Sequence, residues 1–314
     1  MRLFRKKIDL AGRVVIQLQQ DGIHAASIRR SSGQPSVELL AFFPFGNATP
    51  AATLDKAAKA LHAERYECFH LLNIAEYQLL SVEAPNVPVD ELKTAVRWRL
   101  KDMLDFHIDD ATIDVLDVPV DKSQGNRSHM MYAVAARNQL IEQRQSMFAE
   151  AGFALRVIDI PEMAQRNVAA LLETGERGLA LLSVDAEGAL LTITYNGELY
   201  LSRHIDIPMG QLPAMDAEQK AAQIERVTLE VQRSLDHFDR QYHYITLAKL
   251  VLGPSSVSAE LRPYLSENLY IPVELLDLKS VLDCVKVPEL AATDAQQRYF
   301  MALGAALRLE EAVL

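Results

Sequence analysis

Two stretches of the chain each read as three short apolar-rich segments broken by turn residues, in the same rhythm. Residues 13–20 (RVVIQLQQ), 23–30 (IHAASIRR) and 36–43 (SVELLAFF) read as three strands. Asp21-Gly22 supplies a hairpin signal between the first two, and SSGQP turns the chain into the third. Residues 178–184 (GLALLSV), 189–195 (ALLTITY) and 198–207 (ELYLSRHIDI) repeat the pattern, with turns at DAEG and Asn196-Gly197. Val14 to Pro44 spans 30 residues and Leu179 to Pro208 spans 29. Two meanders of matched span, each followed by helical sequence, predict two similar halves.

The intervening and following segments switch between periods of 3.6 and 2. Helices are expected at 50–64, 90–104, 138–151, 161–173, 221–241, 257–268 and 294–312. Asp90 is the expected N-cap of the second, and Gly152 closes the third. Strands are expected near 67–72, 77–82, 112–120, 129–136, 153–160, 247–253 and 270–278, with DKSQGNRS as a polar loop. The class is α/β.

Composition narrows the field. The 314 residues suit about two domains. A net charge of −10 argues against a polyanion partner, so no nucleic acid is expected. No apolar run reaches the ~18 residues of a membrane span, and MRLFRKKIDL lacks the apolar core of a secretory signal. Two cysteines, Cys68 and Cys284, make no disulfide framework, which points to a reducing cytoplasm. Thirteen glycines are few for a chain that cradles phosphate with its backbone. No HExxH, CxxC or GxSxG is present, so neither zinc nor a nucleophile elbow is expected.

Several segments, taken in order, resemble the PilM family of type IV pilus assembly proteins, including the MshI proteins of mannose-sensitive haemagglutinin pili. They are the basic opening MRLFRKK, TAVRWRLKDMLDFHIDDATIDVLDVP, AVAARNQLIEQRQSMFAEAGFALRVIDIPEMAQRN, LEVQRSLDHF, PVELLDL and RYFMALGAALR. The resemblance implies an actin-like ATPase fold, a duplicated ribonuclease H-like architecture with a small inserted subdomain. Residues 1–82, with part of 160–178 and the helix 294–312, would form the first actin-like subdomain. Residues 83–160 would be the insertion and 179–293 the second actin-like domain.

The same resemblance implies two phosphate hairpins, each with an aspartate and, two positions on, a glycine. Here Gln17 and Gln19 stand at those positions in the first hairpin, and Asp185 and Glu187 in the second. Gln17 brings no charge to a metal, and Glu187 would repel phosphate. Asp185, Gly188 and Gly253 are what remains of a degenerate nucleotide cleft. No catalytic residue, metal or cofactor is expected; ATP with magnesium is the alternative, and Asp185 is otherwise a turn residue.

The family's implied partner is the cytoplasmic N-terminal tail of a single-pass membrane protein of the PilN or MshJ type, held in a groove beside the inserted subdomain. On the helix from 90, Leu92, Val96, Leu100 and Met103 form an apolar stripe, and Trp98 falls about 140° from its centre. Trp98 either packs under a second layer or is presented to a partner. Trp98, Leu104, Phe106 and Tyr132 are the candidates for the tail, with Arg99 steering an acidic group; the alternative is that they pack the subdomain. Arg2, Arg5, Lys6 and Lys7 are either a solvated end or a weak contact for anionic lipid. The expectation is a cytoplasmic scaffold peripheral to the inner membrane. Its rivals are a working ATPase of the same platform, the cytoplasmic domain of a type II secretion platform protein, a family that continues into a membrane helix, and a sugar or acetate kinase of the same fold, which the missing phosphate glycines disfavour.

Overall fold

A computed structural model describes residues 12–30, 33–119, 129–210 and 212–309. The chain divides into two compact units. The first comprises Met1–Ile28, Leu40–Pro161 and Leu309–Leu314, and the second Arg29–Leu39 and Glu162–Arg308.

Thirteen strands and seven α-helices are formed among the described residues. In the first half they are β1 (Gly12–Leu18), β2 (Gly22–Arg29), β3 (Ser36–Pro44), α1 (Pro50–Leu61), β4 (Tyr66–Leu71), β5 (Tyr77–Glu83), α2 (Val89–Leu100), β6 (Ala111–Asp117), β7 (Met130–Arg137), α3 (Asn138–Glu150) and β8 (Ala154–Asp159). There follow α4 (Pro161–Ala169), β9 (Gly178–Val184), β10 (Ala189–Tyr195), β11 (Glu198–Ile205), α5 (Ala217–Gln241), β12 (Leu247–Leu252), α6 (Ser256–Asn268), β13 (Val273–Leu275) and α7 (Thr293–Ala306).

The two meanders build two sheets of the same strand order, β3-β2-β1-β4-β8 and β11-β10-β9-β12-β13. In each, the first meander strand lies antiparallel to the second and parallel to the strand after the helix. The repeat expected from spacing alone is therefore a repeat of topology. The fully buried run Val14–Ile16 in β1 and its counterpart Ala180–Leu182 in β9 sit at the centre of each sheet. Central strands covered on both faces are apolar at successive positions, which is why neither run alternates.

The inserted subdomain is a separate three-stranded sheet, β5-β7-β6. Its limits differ from the expected 83–160 at both ends. β5 belongs to it from Tyr77, paired with Ala136 of β7, whereas β8 joins the first large sheet beside β4. The division also assigns α7 to the second unit, although 294–312 was expected with the first. A Cβ on Gly304 would fall 2.3 Å from the Ala164 carbonyl oxygen, so α7 lies directly on α4. Asn167 Nδ2 donates to the Gly304 carbonyl at 3.0 Å across the same contact. The expected helix past 309 and the loop 121–128 lie outside the described residues.

Turn chemistry separates two glycines that look alike in sequence. Asn196 and Gly197 both have positive φ, 53° and 75°, as a type I′ hairpin requires. Gly22 does not turn the chain; it is the first residue of β2. A Cβ there would lie 2.4 Å from the Phe43 carbonyl oxygen, so its glycine character serves the close approach of β3.

Candidate functional site

The three-stranded sheet is covered on one face by α2. Val96 and Leu100 are fully buried in a cluster with Val82, Val115, Met131 and Ala133, and Leu92 and Leu104 pack against it. Each fully buried aliphatic side chain here contributes about 1.5–3 kcal/mol. Helix α2 begins at Val89 with Pro88 in the N-cap position, two residues before the Asp90 cap expected from sequence. It ends at Leu100 rather than 104: the Met103 N–H turns to the Leu100 carbonyl at 2.9 Å in a tighter three-residue turn, and the Asp105 N–H donates to Gln78 Oε1 at 3.4 Å. Met103, placed in the apolar stripe from sequence, lies beyond the helix end and is exposed.

Trp98 points away from that core and is 74% exposed. No second packing layer covers it among the described residues. Arg99 beside it places Nη1 3.5 Å from Glu83, an exposed pair with little stabilising value of its own. Phe106 is half-buried with the Arg137 guanidinium 4.3 Å above its ring, and Arg137 also pairs with Asp105 at 3.6 Å. The candidates therefore separate. Trp98 and Arg99 are exposed on α2, Leu104 is partly in the core, and Phe106 is capped by an arginine. Tyr132 does not join them. It is only 8% exposed and stands between Met131 and Ala133, both turned towards α2, so strand alternation directs it to the opposite face of the sheet.

Of the other candidates, Gln17 and Gln19 lie on one hairpin, Asp185 and Gly188 on a hairpin of the other unit, and Gly253 between β12 and α6. In the first, Gln17 is buried in β1 opposite His24, and its Oε1 has no hydrogen-bond partner. Gln19 donates its N–H to the Gly22 carbonyl at 2.9 Å to close the loop. In the second, Asp185 Oδ1 accepts from the N–H groups of Glu187 and Gly188, each at 2.9 Å. This is a side-chain-closed turn of the kind Asp favours. A Cβ on Gly188 would lie 2.5 Å from the Ile205 carbonyl oxygen, so close strand approach accounts for that glycine. Gly253 gives its N–H to the Leu182 carbonyl at 2.8 Å and accepts from Ser258 Oγ at 2.6 Å. Glu187 is exposed. No cluster of three or more His, Cys, Asp or Glu able to hold a metal occurs among the described residues.

One buried arrangement was not legible in the sequence. Gln165 of α4 is fully buried, and its Nε2 donates to the carbonyls of Leu181 and Leu190 at 2.7 and 3.0 Å. Its Oε1 accepts from Ser183 Oγ at 2.6 Å. The helix thereby grips the backbone of the second meander. The surrounding sequence, PEMAQRNVA, reads as an ordinary polar helix, and Glu162, Arg166 and Asn167 are buried with Gln165.

With this geometry in place, comparison with known proteins concerns the fold. No protein-family model matches the chain, and no curated protein matches it in sequence. Among solved structures, a chain of the "PilM-PilN type IV pilus biogenesis complex" superposes with a TM-score of 0.72 at 20% identity, covering 94% of this chain and 97% of that one. A Bacteroides thetaiotaomicron protein "with actin-like ATPase fold and unknown function" superposes at 0.51 and 10% identity, over 93% and 99% of the two chains. The chain has the actin-like ATPase fold. The cytoplasmic domain of EpsL, an inner membrane component of the type II secretion system of Vibrio cholerae, overlaps at only 0.43 with 16% identity, over 65% of this chain and 75% of that one. The two sheets of equal strand order are the duplicated halves of that actin-like fold, and the β5-β7-β6 sheet with α2 is its insertion.

No helix among the described residues is long and apolar enough to cross a membrane. Arg2, Arg5, Lys6 and Lys7, considered for membrane contact, lie outside the described residues.

Proposed function

We propose that this chain is a cytoplasmic scaffold of a type IV pilus platform at the inner membrane, the mannose-sensitive haemagglutinin pilus being one such system. It works by recognising the N-terminal cytoplasmic tail of a PilN-like single-pass membrane protein, with its nucleotide chemistry degenerate. The observation that carries the reading is the superposition of almost the whole chain, at a TM-score of 0.72, on a chain of the PilM-PilN complex. Trp98 supports it. A helix that buries Val96 and Leu100 has no packing reason to expose its only tryptophan, and tryptophan is enriched at the centres of interfaces.

In this reading an extended tail lays apolar side chains against Trp98 and the exposed Met103. An acidic group on the tail competes with Glu83 for Arg99. Leu104 packs against the subdomain core and Phe106 against the Arg137 guanidinium, and Tyr132 takes no part.

The degenerate nucleotide site rests on local commitments. The Asp185 carboxylate closes its own turn, the Gly253 N–H is already bonded, and Gln17 offers a neutral amide where a metal-organising charge would be needed. These groups do not fit magnesium and a triphosphate, and no step of the mechanism runs through them.

A pull-down against synthetic N-terminal tails of membrane proteins encoded beside this chain tests the reading. Capture of one tail, weakened by Trp98→Ala, is expected. Failure of every tail, together with saturable binding and turnover of magnesium ATP by calorimetry, would replace the scaffold with a working ATPase.

A further inference from the structure

The second unit carries an exposed surface that tail recognition leaves unused. On α5, Leu229, Gln232 and Asp236 follow one another at steps of three and four residues and so share a face. On α6, Glu260, Tyr264 and Asn268 do the same at steps of four. The two helices are tied at both ends of this stretch. Lys220 Nζ lies 2.8 Å from Glu260, and Gln232 Nε2 donates to the Asn268 carbonyl at 2.9 Å. Tyr264 stands between the two ties, and Tyr270 follows just beyond the second.

Three large side chains in this stretch face solvent: Tyr270 is 66% exposed, Tyr264 44% and Leu229 43%. Beside them are Asp236 and Asp239, both exposed, and neither makes an ion pair among the described residues. Asp236 lies one turn beyond Gln232 and Tyr270 two residues beyond Asn268, so the tie between Gln232 and Asn268 brings that carboxylate and the ring to one end of the face; partial burial first, and then the charges of Asp239 and Asp236, raise the Tyr270 hydroxyl above its ordinary pKa.

We propose that this α5–α6 face is a docking surface for a cationic peptide segment that also carries apolar side chains. Charge complementarity selects the occupant. A guanidinium can stack on the Tyr270 ring while its N–H groups reach the Asp236 and Asp239 carboxylates. Leucine or phenylalanine neighbours on the same segment cover Tyr264 and Leu229. An acidic segment would meet two unpaired carboxylates, and a purely apolar one would leave them uncompensated at the rim.

Residues 2–7 of this chain, RLFRKK, have the required composition and serve as the probe. Fluorescence anisotropy of the labelled hexapeptide RLFRKK, with ELFEEE as control, is read against the full chain. Saturable binding of the cationic peptide alone is expected, weakened about threefold to fivefold by Tyr270→Ala. A comparable loss is expected from Asp236→Asn combined with Asp239→Asn. All three positions are exposed, so the variants keep the fold, and Trp98→Ala should bind the probe as the parent does. Absence of saturation, equal binding of the two peptides, or parental affinity in the Tyr270 and Asp variants would overturn the proposal. A loss caused by Trp98→Ala alone would do the same, by moving the cationic segment to α2.

Discussion

Asp185 and Gly188 are joined at 2.9 Å by a hydrogen bond from the glycine N–H to the aspartate carboxylate, inside a turn that the Ile205 carbonyl oxygen approaches from β11. An aspartate and glycine that could be taken for remnants of phosphate chemistry are thus held by the needs of the hairpin. A methyl group at Gly188 would have to displace backbone at 2.5 Å. Gly188→Ala should therefore destabilise the chain by about 1–3 kcal/mol, as overpacking does. Gly197→Ala, with open space around it but φ of 75°, should cost about 1–2 kcal/mol from the left-handed backbone alone. Urea denaturation midpoints of the two variants check both losses.

Trp98 and Leu100 are two residues apart on α2 and face opposite environments. Trp98→Ala should leave stability within about 0.5 kcal/mol of the parent, as exposed positions do. Leu100→Ala, which opens a cavity in the subdomain core, should cost about 2–5 kcal/mol. Equal losses in thermal unfolding would mean that Trp98 is packed after all.

How much of this was legible beforehand depends on the range of the interaction concerned. The duplicated strand order was readable because meander spacing and the Asn196-Gly197 turn are local, and the central strands carry their burial as unbroken apolar runs. The end of α2 was not, since it depends on where the backbone N–H groups past Leu100 find partners, Met103 on Leu100 and Asp105 on Gln78, 27 positions away. Gly22 and Gly188 look like turn glycines, but their reason lies in strands 21 and 17 residues further on, at Phe43 and Ile205. Tyr132 reads from sequence as an apolar candidate like Trp98 and Leu104; only the pairing of β7 with β5 and β6 shows which face it takes. Gln165 left no signal, since a glutamine that grips backbone carbonyls reads like any other in a helix.

Burial of His70 against Phe148 pushes its imidazole down to about 4 from an ordinary 6.5, with the Arg144 charge adding to the effect; the Ile16 carbonyl and Glu76 act in the opposite direction. The unfolded chain therefore binds the proton more readily than the folded one. Stability from this group is fully present above pH 6.5 and is lost as pH falls towards 4, by about 3 kcal/mol in all. Unfolding free energies measured at pH 7 and pH 4.5 should show that fall in the parent and a smaller one in His70→Gln.

Gln17 buries an amide oxygen that accepts nothing. Gln17→Leu removes that desolvated acceptor at similar volume and should be neutral or stabilising by up to about 1–2 kcal/mol. Gln17→Asp puts a carboxylate into the same buried position and should destabilise. Chemical denaturation separates the two, and a stabilised aspartate variant would show that the position retains the environment of a metal-organising acid.

The measurement that bears most directly on the proposed scaffold is a calorimetric titration of the chain with the synthetic N-terminal tail of the proposed PilN-like membrane partner, repeated with Trp98→Ala. Saturable binding by the parent, weakened about 30-fold or more in the variant by loss of an interface-centre tryptophan, is the expected result. Undiminished binding by a correctly folded Trp98→Ala chain, or no heat of binding with the parent, would contradict it.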